Sequence, residues 1–178
     1  MKNFRQTRVV ALPLLLLLCA KTASADEIED HRRMSMKGLA GVEVAVEMLR
    51  PEIELAGLTR DQLQATVELK LRKSGVRVLS TQEKLKSPGA PMLYVNLQTF
   101  QPEGAHKDLV FFYLKVHLKQ SVFLARNMTP AVSISTWETD EKLGVVGISK
   151  VQELRRYVED EVDRFCNAYL AANPKEGN

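Results

Sequence analysis

Hydrophobic residues alternate with polar ones in several stretches of the chain, a two-residue period that is typical of half-buried β-strands. The longest stretch runs from Leu109 to Leu124, and only Gln120 interrupts its apolar side. A short β-branched run from Val76 to Leu79 indicates a further strand. We expect four apolar sets to face the core, and these begin at Val42, Leu93, Val110 and Val132.

Two other segments have apolar residues spaced three or four apart, as in amphipathic helices. The first is announced by a capping box of Thr59 and Gln62 and ends at Gly75, which suits the left-handed conformation of a helix terminus. The second begins at a further capping-box candidate, Ser149, and its apolar stripe reaches Ala172. The pattern therefore predicts two helices with one buried side each.

The element order β-α-β-β-β-β-α predicts an α+β fold. We expect a two-layer sandwich in which a four- to five-stranded, mostly antiparallel sheet carries both helices on one face. The polar segments 80–91 and 140–147 are predicted to be loops, the second with a short extended piece. One domain would span 41–173, between a flexible arm, or a frayed first turn of helix, at 26–40 and a disordered tail at 174–178.

The first 25 residues have the three parts of a Sec-type signal peptide. A basic n-region precedes an apolar run from Val9 to Ala20, and Ala23 and Ala25 are small residues where signal peptidase cuts. The run is shorter than the ~20 residues of a membrane span, so we expect cleavage after Ala25 and no transmembrane segment thereafter. Leu18 precedes Cys19 where a lipobox has a small residue. The predicted location is the periplasm or the exterior, without lipidation.

The distribution of charge argues against a nucleic-acid partner. The chain has 25 Lys and Arg against 22 Asp and Glu, but the signal segment holds four of the basic residues and no acid. The remainder has one more acidic than basic residue. Nucleic-acid binding requires a clustered basic surface, and no such excess is left after cleavage.

No combination of residues in the sequence nominates an active site. The three histidines, His31, His106 and His117, have no metal-ligand spacing to one another or to cysteine. Nucleotide-binding and hydrolase motifs are absent from the sequence. Cys166 lies beside the apolar stripe of the second predicted helix and is expected to be buried. We therefore predict that the protein is not an enzyme, and we nominate no catalytic, cofactor-binding or metal-binding residue.

The sheet face without helices is the better functional candidate, because it mixes aromatic and polar side chains as partner-binding surfaces do. Alternation from Val132 and Ile134 predicts that Trp137 is exposed on this face near Tyr113. Aromatic pairing that merely stabilises the sheet, or an arm folded across the face, are the alternatives. The candidate binding face consists of Tyr94, Asn96, Phe111, Tyr113, Lys115, His117 and Trp137.

The order of elements resembles that of small exported α/β modules. A strand, a capped helix ending Lys73-Ser74-Gly75-Val76, long hairpin strands and a closing amphipathic helix are similar to the TolB amino-terminal domain and to CsgG-like envelope lipoproteins. The likeness covers about Gly41 to Ala172 and includes Gly57-Leu58-Thr59. It implies binding or assembly in the bacterial cell envelope. The lipobox of the lipoprotein members is missing, which argues against an outer-membrane pore.

Three functional hypotheses follow from these observations. The favoured one is a periplasmic binding or assembly module that contacts an envelope protein, or a second copy of the chain, through the open sheet face. The alternative is a carrier of a small molecule or glycan that uses Trp137 and Tyr113. The third, a hydrolase or redox enzyme centred on His117 or Cys166, has the weakest support in the sequence.

Overall fold

The computed structural model describes residues 27–174, and it has the predicted α+β architecture of a sheet with helices on one side and an open face on the other. The predicted signal peptide, with Ala23 and Ala25, lies outside the described residues. In chain order the elements are α1 (27–34), β1 (Glu43–Val46), α2 (Pro51–Leu55), α3 (Arg60–Lys73), α4 (Thr81–Lys86), β2 (Met92–Phe100), β3 (Leu109–Leu124), β4 (Thr129–Glu138), β5 (Lys142–Gly147) and α5 (Leu154–Ala172).

The sixteen-residue strand β3 is the centre of the sheet. Along one edge it pairs with β2 in antiparallel register, and β1 pairs in parallel beyond β2. Along its other edge β3 pairs first with β5 and then with β4, both antiparallel. The predicted strand at 76–79 is reduced to a single parallel bridge between Val42 and Val78. The sheet is therefore mixed, with one strand shared by all the long pairings.

β4 and β5 follow each other along one edge of β3, and together they are called the β4–β5 arm here. At three places the β4–β5 arm has one residue more than the segment of β3 that it pairs with. At the third, Thr139 binds Val116 through its backbone N–H (2.9 Å), and its Oγ1 accepts the Val116 N–H (3.0 Å). Each extra residue reverses the alternation of side chains beyond it. The first extra residue lies between the pairs Val122↔Ala131 and Gln120↔Ile134, and the second lies between Lys119↔Ser135 and Leu118↔Trp137. The third lies between His117↔Glu138 and Leu114↔Lys142.

The second bulge places Trp137 in the core, so its predicted exposure is wrong. Trp137 pairs with buried Leu118, is 4% exposed, and meets Phe165 edge-on with ring centroids 5.5 Å apart. The prediction that the apolar set from Val132 faces the core is wrong as well, since Val132 is 73% and Ile134 42% exposed. The errors at Trp137 and Val132 have one cause, because strict alternation was extended across positions where the strand holds an extra residue. Ile134 keeps its predicted side, since it pairs with Gln120, but it is exposed there.

The helices α3 and α5 bury one apolar stripe each against the same side of the sheet. The predicted capping box at the start of α3 is present, with the Thr59 side chain accepting from the Gln62 N–H. None of the described helices is long and apolar enough to cross a membrane. The sheet side of the core contains the set predicted from Leu93, the set from Val42 as far as Val46, and the set from Val110 as far as Leu118. Met48, at the end of the set from Val42, is exposed instead. The two helices contribute Leu63, Val67, Leu71, Leu154, Val158, Val162, Phe165 and Cys166.

Both predicted loops contain secondary structure. The first includes α4, which begins with a second capping box, formed by Ser80 and Glu83. The second is largely β5, where Gly144 lies beneath the Phe112 ring, and a Cβ there would stand 2.6 Å from ring carbons. The capping box predicted at Ser149 does not form, because Ile148–Glu153 is a 3₁₀ turn and α5 begins only afterwards.

The segment predicted to be a flexible arm or a frayed helical turn consists of a helix followed by an anchored stretch of chain. Residues 27–34 are helical and exposed, and the chain is then fixed on the helix side of the sheet. Met36 is completely buried in the core. Gln120 Nε2 donates to the Ser35 carbonyl (3.1 Å), and Asn173 Nδ2 donates to the Met36 carbonyl (3.0 Å). The described part of this segment therefore does not cover the open face.

Replacing Trp137 by Ala tests the bulged register. The change should lower the free energy of unfolding by about 3–5 kcal/mol, because it removes a buried ring and leaves a cavity. Val132→Ala, a strongly exposed position on the same strand, should change it by less than about 0.5 kcal/mol. Urea unfolding followed by far-UV circular dichroism measures both. A Trp137→Ala protein as stable as the wild type would show that the ring is not in the core.

Candidate functional site

Most of the predicted binding residues lie together on the open face of the sheet. The cross-strand pairs Tyr94↔His117, Asn96↔Lys115 and Gln98↔Tyr113 place their side chains in neighbouring rows on that face. Trp137 is the exception, since it faces the helices. The residues of the predicted face that the structure brings together are Tyr94, Asn96, Phe111, Tyr113, Lys115 and His117.

One half of the open face is an apolar patch, defined here as Phe100, Phe111, Tyr113, Leu143 and Val145. Phe111 is paired with Phe100 on one side and with Val145 on the other, while Tyr113 is paired with Leu143. The two phenylalanines, the leucine and the valine are 46% to 75% exposed. Three strands thus present adjacent, solvent-exposed apolar side chains without a helix over them.

The other half of the face holds a charged network around Lys115. Its ammonium group is 2.9 Å from Glu138 Oε1 and 3.6 Å from Glu141 Oε1. His117 Nδ1 lies 3.3 Å from Glu138 Oε2 and 3.2 Å from Ser135 Oγ. Because Lys115 and His117 are mostly buried by their neighbours, the network is held in place rather than free in solvent.

Tyr94 connects the charged network to the edge of the sheet. The Lys119 ammonium group lies 3.8 Å from the centre of the Tyr94 ring, a cation–π contact. The Tyr94 hydroxyl donates to Glu47 on the strand β1 side. Glu43, at the start of β1, accepts from Thr81 on α4 (2.6 Å). These contacts fix the polar side chains of the face from β1 across to β4.

The network shifts the pKa values of its members in different directions. The hydrogen bond from Lys115 lowers the pKa of Glu138, although burial opposes the effect, and the same bond raises the pKa of Lys115. Burial lowers the pKa of His117 below its usual 6.5, with help from Lys115 and Lys119, and it outweighs the attraction of Glu138. The imidazole is therefore mostly neutral at pH 7.

The geometry around His117 does not form a catalytic triad. Ser135 and Glu138 both approach Nδ1, whereas a triad needs the nucleophile and the acid on different ring nitrogens. Ser135 also donates to Glu138 Oε2 (3.2 Å), which ties its proton to the carboxylate. Cys166 is buried, and burial raises the pKa of its thiol. Residues 27–174 contain no cluster of three His, Cys, Asp or Glu that could hold a metal ion.

The sequence-based candidate set missed Leu143, Val145, Glu138 and Glu141. The first two fall in Lys-Leu-Gly-Val-Val-Gly, whose glycines suggested a loop, although its apolar residues alternate as in a strand. The two acids become neighbours of Lys115 only because the bulged arm brings them there. Phe100 was also missing from the candidate set, although it alternates with Tyr94 and Asn96 along β2 and therefore shares their face.

No protein-family model matches the chain, and no curated protein matches it. The structure defines an α+β two-layer domain with an open sheet face.

The position of His117 in the network predicts how stability depends on pH. The pKa of His117 in the folded protein is below its unfolded value of ~6.5. Between these two pKa values the unfolded chain binds more protons than the folded protein does. The free energy of unfolding should therefore fall as the pH drops from 7 through this range. His117→Gln should remove this part of the decline. The free energies of unfolding of both proteins at pH 7.5 and 5.5, on either side of the unfolded histidine pKa of ~6.5, measure this difference.

An NMR titration gives an independent measurement of the same group. The His117 imidazole should titrate below ~6.5, and Lys119→Gln should raise the midpoint by removing a repelling charge. A midpoint at or above ~6.5 in the wild type would mean that the attraction of Glu138 outweighs burial.

Proposed function

We propose that the protein is an exported binding or assembly module of the bacterial cell envelope, and that it acts through protein contacts on its open sheet face rather than by catalysis. The observation that carries this proposal is the apolar patch, whose large side chains are exposed on the side of the sheet that α3 and α5 leave uncovered. The resemblance in element order to exported envelope modules adds to it.

The apolar patch is the kind of surface that a partner protein buries. Single exposed apolar residues are normal, but contiguous patches on a folded domain mark interaction sites. Aromatic side chains, here Phe100, Phe111 and Tyr113, are also the types that contribute most to binding energy at protein interfaces. The charged network beside the patch would supply the polar rim that such interfaces have.

Two observations favour binding over the alternatives. The carrier hypothesis relied on Trp137 and Tyr113 acting together, and these side chains lie on opposite sides of the sheet. For an enzyme centred on His117, the shared use of Nδ1 by Ser135 and Glu138 is the wrong arrangement for proton relay. Neither objection applies to a surface that works by shape and burial.

Export makes a prediction about the mature protein. Cleavage after Ala25 should give a chain that begins at Asp26 in the periplasmic or secreted fraction, as measured by intact mass. Ala25→Leu should block cleavage, because the position before the cut requires a small residue, whereas Ser24→Leu at the tolerant intervening position should not. Recovery of the uncut wild-type chain from the cytoplasm would contradict export.

Photo-crosslinking from the envelope tests the binding face. A photoreactive residue at position 111 should give an adduct of defined mass in the native envelope, and Leu143→Asp should remove that adduct. The same residue at position 69, an exposed leucine on the outer side of α3, should give none. Equal crosslinking from both positions, or an adduct that survives Leu143→Asp, would show that the open face is not the contact surface.

A further inference from the structure

We propose that the occupant of the apolar patch is the apolar patch of a second copy of the chain, related by a two-fold axis that runs across the strands. This inference rests on the proposed function and deepens it by naming the partner. It commits to a symmetric contact, in which each residue meets a different residue of the other copy and the reverse contact also occurs.

The patch consists of two adjacent rows that can complement each other. Phe100, Phe111 and Val145 form one row, and Tyr113 and Leu143 form the next. A two-fold axis between the rows brings Phe111 of one copy over Tyr113 of the other, and Val145 over Leu143. Both rows are then covered at once, and two sheets packed face to face in this way resemble the layers of a β-sandwich.

The charges of the face agree with a partner that has the same surface. The patch itself holds no formal charge, so it does not call for a partner of opposite sign. Lys115 is already paired with Glu138 and Glu141 within its own copy. Because the axis reverses the strand direction, the two charged networks lie at opposite ends of the contact, where they form a solvated rim instead of being buried.

The area of the patch sets the strength of the association. The two phenylalanines are each about half exposed, and with 150–250 Å² per aromatic side chain the patch comes to roughly 300 Å² per copy once Leu143 and Val145 are added. Stable interfaces bury about 800 Å² per partner, and this contact buries less than half of that area, so the expected dimer is weak and transient. Self-association should therefore depend on protein concentration.

A rival apolar surface lies at the tip of the β3–β4 hairpin. Phe123 and Val132 are strongly exposed there, on the same side of the sheet as the patch. Ile134 pairs with Gln120 and points to the other side. Because the apolar side chains of the tip are divided between two sides, one flat partner surface covers only part of them, and this favours the patch.

Sedimentation equilibrium of the purified protein tests the inference. The wild type should change reversibly from monomer to dimer as its concentration rises. Leu143→Asp should weaken the dimer at least about tenfold, which corresponds to about 1.4 kcal/mol. Phe123→Asp, the same change at the tip, should alter the dissociation constant less than about twofold, as a surface change outside the contact. Both side chains are largely exposed, so both variants should fold, and circular dichroism checks this.

Salt adds a second readout. Because an uncharged patch is buried and the networks stay at the rim, the dissociation constant should hardly change between low and high salt. A wild type that stays monomeric at all concentrations, a dimer lost equally in Phe123→Asp, a dimer unaffected by Leu143→Asp, or a strongly salt-dependent dimer would each overturn the inference.

The same variants separate this failure from failure of the proposed function. If the wild type is monomeric but position 111 still crosslinks to another envelope protein in a way that needs Leu143, the open face is a binding surface for a different partner and only the dimer is wrong. If there is neither a dimer nor such a crosslink, both proposals are wrong.

Discussion

The structure depends on the pairing of β3 along both of its edges. This strand holds β2 on one edge and β5 and β4 in succession on the other, so every long pairing in the sheet includes it. Its alternate residues from Val110 to Leu118 are buried against the helices, and the residues between them form the middle of the open face. Core and candidate surface are therefore two sides of one backbone.

The pattern of the sequence predicted what depends on local periodicity. The strands β2 and β3, the capped helix α3 and the stripe of α5 follow from spacing and caps within a single element. Trp137, Leu143 and Glu138 could not be placed in this way, because their positions depend on how many residues the opposite arm uses to span the same length of β3. That number is set by hydrogen bonds between strands, such as those joining Thr139 to Val116. The missed helix α4 is different, since its capping box was visible in Ser80 and Glu83.

The open face combines two kinds of surface that have different physical roles. In the charged half, ion pairs and hydrogen bonds among neighbours such as Lys115 and Glu138 are already made, so little is gained there by adding a partner. In the apolar half, exposed side chains gain free energy when water is removed. A partner bound at the patch would therefore obtain its affinity from burial, while the neighbouring network determines which orientations avoid unfavourable charge contacts.

The odd number of bulges in the β4–β5 arm has a consequence for how this surface could arise or be lost. With three extra residues, Leu143 and Val145 fall on the open face and Val146 falls in the core. With two or four, the same residues would exchange sides, and the patch would lose one of its three strands. Insertion or deletion of a single residue, which leaves the composition almost unchanged, would thus alter this face more than most substitutions. The number of residues in the arm therefore determines which side chains form this face more strongly than any one substitution in the arm does.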